Sequence, residues 1–182
     1  MPAPGKSSLT ETGLLVLQEA RLIIGGVIVD FEKLATDLHN VVSVRVDRTA
    51  ALQEVAELLR RTCSYRWVGL YDVDPAAGIA KNVVWTGPGA PKYSTFPLAK
   101  GLTGAAVSTR KTVNVGDVGA DPRYLPALGT TRSEIIVPVF DRTGENVLGT
   151  IDVESEKPNA FTSEDEFLLE ACAVVIRPLW LG

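Results

Sequence analysis

The sequence is poor in the residues that build metal centres and nucleophilic sites. Its 182 residues include two cysteines, Cys63 and Cys172, and one histidine, His39. The cysteines have no CxxC spacing and no histidine cluster, so no protein-built zinc or iron–sulfur centre can form. No cofactor is expected. A Walker loop, a GxGxxG after a strand, HExxH and GxSxG are all missing, and any Ser-His-Asp or Cys-His arrangement would depend on His39 alone. No long basic run is present, and 18 basic against 22 acidic side chains give a net charge of −4. Nucleic acid is therefore not an expected partner. The most apolar N-terminal stretch, 14–29, is cut by Gln18, Glu19 and Arg21, so no membrane span or signal peptide is expected and we read the chain as cytoplasmic with reduced thiols.

What remains is ordinary globular text, 46% hydrophobic and 22% charged. A chain of this length buries roughly 70% of its unfolded surface, enough for one domain without disulfide or metal staples. Residues 1–9 are small, polar and proline-containing, and read as a disordered tail. From Thr10 to Val46 the apolar spacing is helical, interrupted at Gly25-Gly26, which predicts two short helices or one broken helix in an N-terminal segment, 10–46. We expect this segment to serve packing or dimerisation.

A helical stripe follows over 47–61, with Asp47 or Thr49 as N-cap and Arg60-Arg61 at its C-terminus. After Cys63 the period changes to two: Tyr65, Trp67, Gly69 and Tyr71 share one strand face, Val68 and Leu70 the other. A hairpin partner over 79–86, a short strand over 93–98, a small-residue helix over 101–110 and a strand over 112–115 follow. Residues 116–132 have the length and turn residues of a binding lid. Strands at 134–140 and 146–154 form a second hairpin, and capping-box patterns at 162–166 open a closing helix carrying Leu168, Ala171, Cys172 and Val175. This order predicts an α/β (α+β) fold, a mainly antiparallel sheet covered by terminal helices.

Asp152 and Glu154 stand two apart on a strand and share a face, and Glu134 opens the strand beside them. Three such carboxylates repel one another unless a cation lies among them, a ligand ammonium or a nearby arginine. Trp67 and Tyr71 could wall the same site. The alternative is that the acids sit in water at strand ends and the aromatics fill the core.

The run from Tyr65 to Val175 resembles a GAF domain, and within that superfamily the free methionine-R-sulfoxide reductases. The matching text is Arg66–Tyr71 (RWVGLY), Ala99–Ala106 (AKGLTGAA), Ser133-Glu134 with IIVPV, Leu148–Ser155 (LGTIDVES) and Phe161–Glu166 (FTSEDE). The resemblance implies a central sheet of about six strands flanked by terminal helices over 47–182. It also implies a ligand pocket walled by Trp67 and Tyr71 with Glu134, Asp152 and Glu154 holding the polar ends. Glu154 replaces the usual aspartate. Those reductases act through thiolates, and at the positions where the family places them this sequence has Tyr93, Thr103 and Ala127. Cys63 and Cys172 read as buried small hydrophobes.

We therefore expect a stand-alone, sensor-type binding module for a small amino-containing metabolite, with no catalytic residue and with homodimer formation. Two alternatives stand beside it: a methionine-sulfoxide reductase with relocated thiols, and a structural homodimerisation module with a vestigial pocket.

Overall fold

A computed structural model describes residues 21–44, 47–126 and 128–181. Six antiparallel strands form the main sheet: β3 (Trp67–Asp74), β4 (Ile79–Thr86), β5 (Thr95–Pro97), β6 (Val113–Val115), β7 (Ser133–Phe140) and β8 (Val147–Ser155). Their spatial order is β5-β4-β3-β8-β7-β6. The described residues hold four α-helices, α1 (Phe31–Ser43), α2 (Arg48–Thr62), α3 (Gly101–Thr109) and α4 (Ser163–Ile176); α2, α3 and α4 pack on the sheet, and α1 packs on α2 and α4. No described helix is long and apolar enough to cross a membrane.

Strand alternation divides the sheet into two faces. Val68 and Leu70 of β3, Ile135, Val137 and Val139 of β7, and Ile151 and Val153 of β8 join the main core with α1, α2 and α4. On the other face α3 packs Leu102 and Ala106 against Ile136 and Val118 in a smaller core. The capping residues fix where the helices start. Asp47 accepts a hydrogen bond from the Ala50 amide at 2.7 Å, and Thr162 with Asp165 completes a capping box at α4. Asp165 also accepts from the Tyr65 hydroxyl at 2.9 Å, which ties α4 to the chain entering β3.

The N-terminal reading needs correction. Residues 21–30 form a hairpin, β1 (Arg21–Ile24) and β2 (Val27–Asp30), not part of a helix. Gly25 and Gly26, both at positive φ (57° and 86°), make the two-residue turn whose twist suits antiparallel strands. The β-branched residues on either side favour pairing over a helix. Within residues 21–44 the helical spacing holds from Phe31, where Phe31, Leu34, Leu38 and Val42 are buried on one stripe. The expected disordered tail, 1–9, and the first part of the expected helical segment lie outside the described residues.

The short strand is trimmed to Thr95–Pro97, and within the 116–132 stretch Val118–Ala120 forms a 3-10 turn. The approach of α3 depends on Gly104. A Cβ there would sit 2.1 Å from the Leu98 carbonyl oxygen, a backbone atom with little room to yield. Gly104→Ala is expected to destabilise the protein by about 1–3 kcal/mol through overpacking, read as a lower urea midpoint at unchanged slope; an unshifted midpoint would show that α3 can lift without cost.

Candidate functional site

The face of the sheet away from α1, α2 and α4 presents Trp67, Gly69 and Tyr71 from β3, Glu134 from β7, and Asp152 and Glu154 from β8. Register sets their neighbours. Glu154 pairs with Trp67 on one side and Glu134 on the other, and Asp152 pairs with Gly69. Glu134 and Glu154 are thus like charges directly opposed across antiparallel strands, an arrangement that costs stability when both are ionised.

All three acids are buried, Glu134 at 7%, Asp152 at 3% and Glu154 at 1% exposure. The reading that they sit in water at strand ends is therefore excluded. Hydroxyls meet two of them: Thr103 Oγ1 of α3 donates to Asp152 Oδ2 at 3.0 Å, and Thr131 Oγ1 donates to Glu154 Oε2. Asp152 Oδ1 is buried without a hydrogen-bond partner. Burial first, and then the neighbouring Glu154 and Asp152 charges, push the Glu134 carboxyl well above its ordinary range. Burial pushes Asp152 up to about 7, with the Thr150 hydroxyl and then the Thr103 hydroxyl opposing the rise. Glu154 is also raised by burial, and Thr131 and the Arg66 charge pull it back. The same burial, with the three acids adding to it, holds the Tyr71 phenol protonated.

The acids line a cavity together with Tyr71, Tyr93, Phe96, Leu102, Thr103 and Leu125. At about 20 Å³ it has room for one water. An amino-acid-sized ligand enters only if the apolar roof shifts. A larger open groove of about 620 Å³, lined by Lys100, Arg123 and the small residues of α3, shares Gly101 and Leu125 with the cavity. Among the described residues no group of three His, Cys, Asp or Glu side chains is arranged to hold a metal ion.

Four of the five residues read from the sequence meet in this cavity: Tyr71, Glu134, Asp152 and Glu154. Trp67 does not line it. Its indole is fully buried, donates from Nε1 to the Gly89 carbonyl at 3.0 Å, and lies across Gly69, where a Cβ would be 2.3 Å from the ring. The Trp67 indole fills the space over Gly69, and Phe96 lies in the cavity wall, edge-on to Tyr71 with ring centroids 5.7 Å apart. Leu125 and Thr131 belong to the 116–132 stretch expected to be a binding lid, whereas Phe96 of β5 and Leu102 of α3 were not assigned to the site, because their placement depends on how those elements fold over the sheet. Tyr93 and Thr103 were singled out as positions matching family cysteines and lie in the cavity wall; Ala127 is outside the described residues.

The family model for the GAF domain matches residues 47–177. The chain belongs to the GAF domain family. It is 32% identical over 113 residues to the free methionine-R-sulfoxide reductase of Saccharomyces cerevisiae, covering 61% of each protein. It is 28% identical to GAF domain-containing protein A of Dictyostelium discoideum, over 75% of this chain and 83% of that one. Among solved structures it resembles the free methionine-R-sulfoxide reductase from Neisseria meningitidis in complex with its substrate, with TM-score 0.75, 29% identity, and coverage of 83% of this chain and 88% of that one.

The acid cluster of this GAF domain has a consequence for stability. A carboxyl whose pKa is raised on folding favours the folded state most fully below its unfolded pKa, near 4, and that contribution is lost as pH rises through the folded value. With Asp152 at about 7 and Glu134 and Glu154 also raised, the melting temperature is expected to fall between about pH 5 and pH 8. Glu166, also raised by burial, adds a smaller slope of the same sign. Glu134→Gln should flatten the profile; an equally steep profile in that variant would mean the cluster does not carry it.

Proposed function

We propose that this GAF domain is a binding module for a small amino-containing metabolite, held at Glu134, Asp152 and Glu154 beneath Tyr71 and Phe96. The observation that carries this reading is the buried, unpartnered Asp152 Oδ1 in a cavity with three carboxylates and no basic side chain in its wall. A buried acceptor without a donor costs stability, and a ligand N–H donor would satisfy it. Trp67 belongs to the reading as a support for the aromatic wall.

Free methionine-R-sulfoxide is the first compound to test, because proteins named for its reduction are among the relatives. A reductase reading is less well supported. Cys63 and Cys172 belong to the main core on the opposite face of the sheet. Burial pushes the Cys63 thiol up to about 12 and raises Cys172 as well, so neither is a ready thiolate.

Calorimetric titration of the reduced protein with methionine-R-sulfoxide should give saturable binding, with the S epimer and methionine as controls. Glu134→Gln is expected to weaken binding by roughly 1.5–3 kcal/mol, the range for a charge-assisted hydrogen bond. Absence of heat with every amino compound tried would defeat the binding reading. Sulfoxide-dependent turnover that is lost in Cys63→Ser or Cys172→Ser would favour the reductase.

A further inference from the structure

We infer that the cavity takes a primary ammonium group in exchange for a carboxyl proton. The inference rests on the binding reading above and adds to it how the site is regulated and which amine it accepts. The first support is geometric. Glu134 and Glu154 oppose each other in register, with Asp152 on the adjoining row of β8, in a space that admits one water. Like charges so placed and dried do not all ionise, so the empty site retains a proton.

The groups around the cluster supply only part of the missing positive charge, from Arg66 on the Glu154 side. From β3, Tyr71 faces the acids as a neutral phenol. Tyr93, ahead of β5, is the other ionisable group in the wall besides the acids. From α3 and from the segment before β7 come the hydroxyls of Thr103 and Thr131. Arg66 lies on the Glu154 side and its charge opposes the rise of that carboxyl; its Nη2 bonds Glu156 at 2.5 Å and Thr130 at 3.0 Å, and its Nη1 is buried without a hydrogen-bond partner. Lys100 and Arg123 line the neighbouring groove instead.

An arriving ammonium brings the charge that lets the retained proton leave for solvent, so the net charge of the site is unchanged. It also brings N–H donors, which the unpartnered Asp152 Oδ1 requires. A quaternary ammonium brings the charge without a donor. The exchange therefore selects primary amines over trimethylated ones and makes affinity rise with pH.

The test uses the full chain and free L-methionine-R-sulfoxide. Calorimetry at about pH 6.5 in phosphate and in Tris should show a heat that varies with buffer ionisation enthalpy, reporting about one proton released per ligand, with affinity rising up to about tenfold per pH unit below neutrality. The N-trimethylated analogue should not bind. Binding with buffer-independent heat and pH-independent affinity would overturn the exchange while leaving the binding reading intact, and equal binding of the trimethylated analogue would overturn the primary-amine preference. Should the sulfoxide not bind, the binding reading fails for this probe and the ligand-free protein decides the proton. Carboxyl ¹³C NMR, assigned with Glu134→Gln and Asp152→Asn, should show a proton retained in the cluster above about pH 6, and three carboxyls all ionised by about pH 5 would overturn the exchange.

Discussion

Three carboxyl groups buried on one face of two adjacent strands are the constraint around which this side of the molecule is arranged. Desolvation penalises each charge, and the opposed pair adds repulsion to it. The protein answers mainly with neutral hydroxyl donors, with the Arg66 charge acting on Glu154 alone: Thr103 reaches Asp152 from α3, and Thr131 reaches Glu154 from the approach to β7. A hydroxyl lowers the cost of a carboxylate without cancelling its charge. The site thus keeps an electrostatic demand that an internal ion pair would have extinguished.

Keeping that demand costs stability, and the opposite face of the sheet offsets it. There the apolar members of β3, β7 and β8 meet α1, α2 and α4 in a continuous core that includes fully buried Leu34, Leu38, Leu52, Leu59, Leu168 and Leu169. A fully buried leucine contributes about 1.5–3 kcal/mol relative to an exposed one, so a few such residues outweigh an unsatisfied acceptor. The division of labour follows from strand alternation. One set of residues holds the fold, and the interleaved set is free to carry a site.

The same alternation explains how much was legible beforehand. The acids were readable because Asp152 and Glu154 have the spacing of one strand face and the hairpin turn at 141–145 sets the register that brings Glu134 opposite. The helices were readable where a cap and an apolar stripe agree, as at Asp47 and Thr162. The N-terminal hairpin was not, because its apolar residues also fit a helical period and the decision lay with the paired positive-φ glycines. Trp67 illustrates a different limit. Strand parity gives the face a side chain emerges from, and then the absence of a Cβ at Gly69 lets the indole lie along the sheet instead of standing over the acids. The placement of Phe96 and Leu125 in the cavity depends on how the short strand β5 and the 116–132 stretch lie over the sheet, which no periodicity encodes.

Alternation also bears on what the chain's thiols can do. A strand residue cannot present its side chain on the far face without a register change, and a one-residue slip would carry the whole buried set of that strand into the wrong environment. Cys63 ends α2 and Cys172 lies within α4, both packed into the core beneath the sheet while the acids lie above it. For either sulfur to meet a ligand bound at Asp152, a helix would have to leave the core or the sheet would have to open, and both disrupt the packing that offsets the buried acids. The three acids and the two thiols are thus separated by the layer on which the stability of the domain rests. In the folded state these sulfurs and the cavity lie on opposite faces of the sheet.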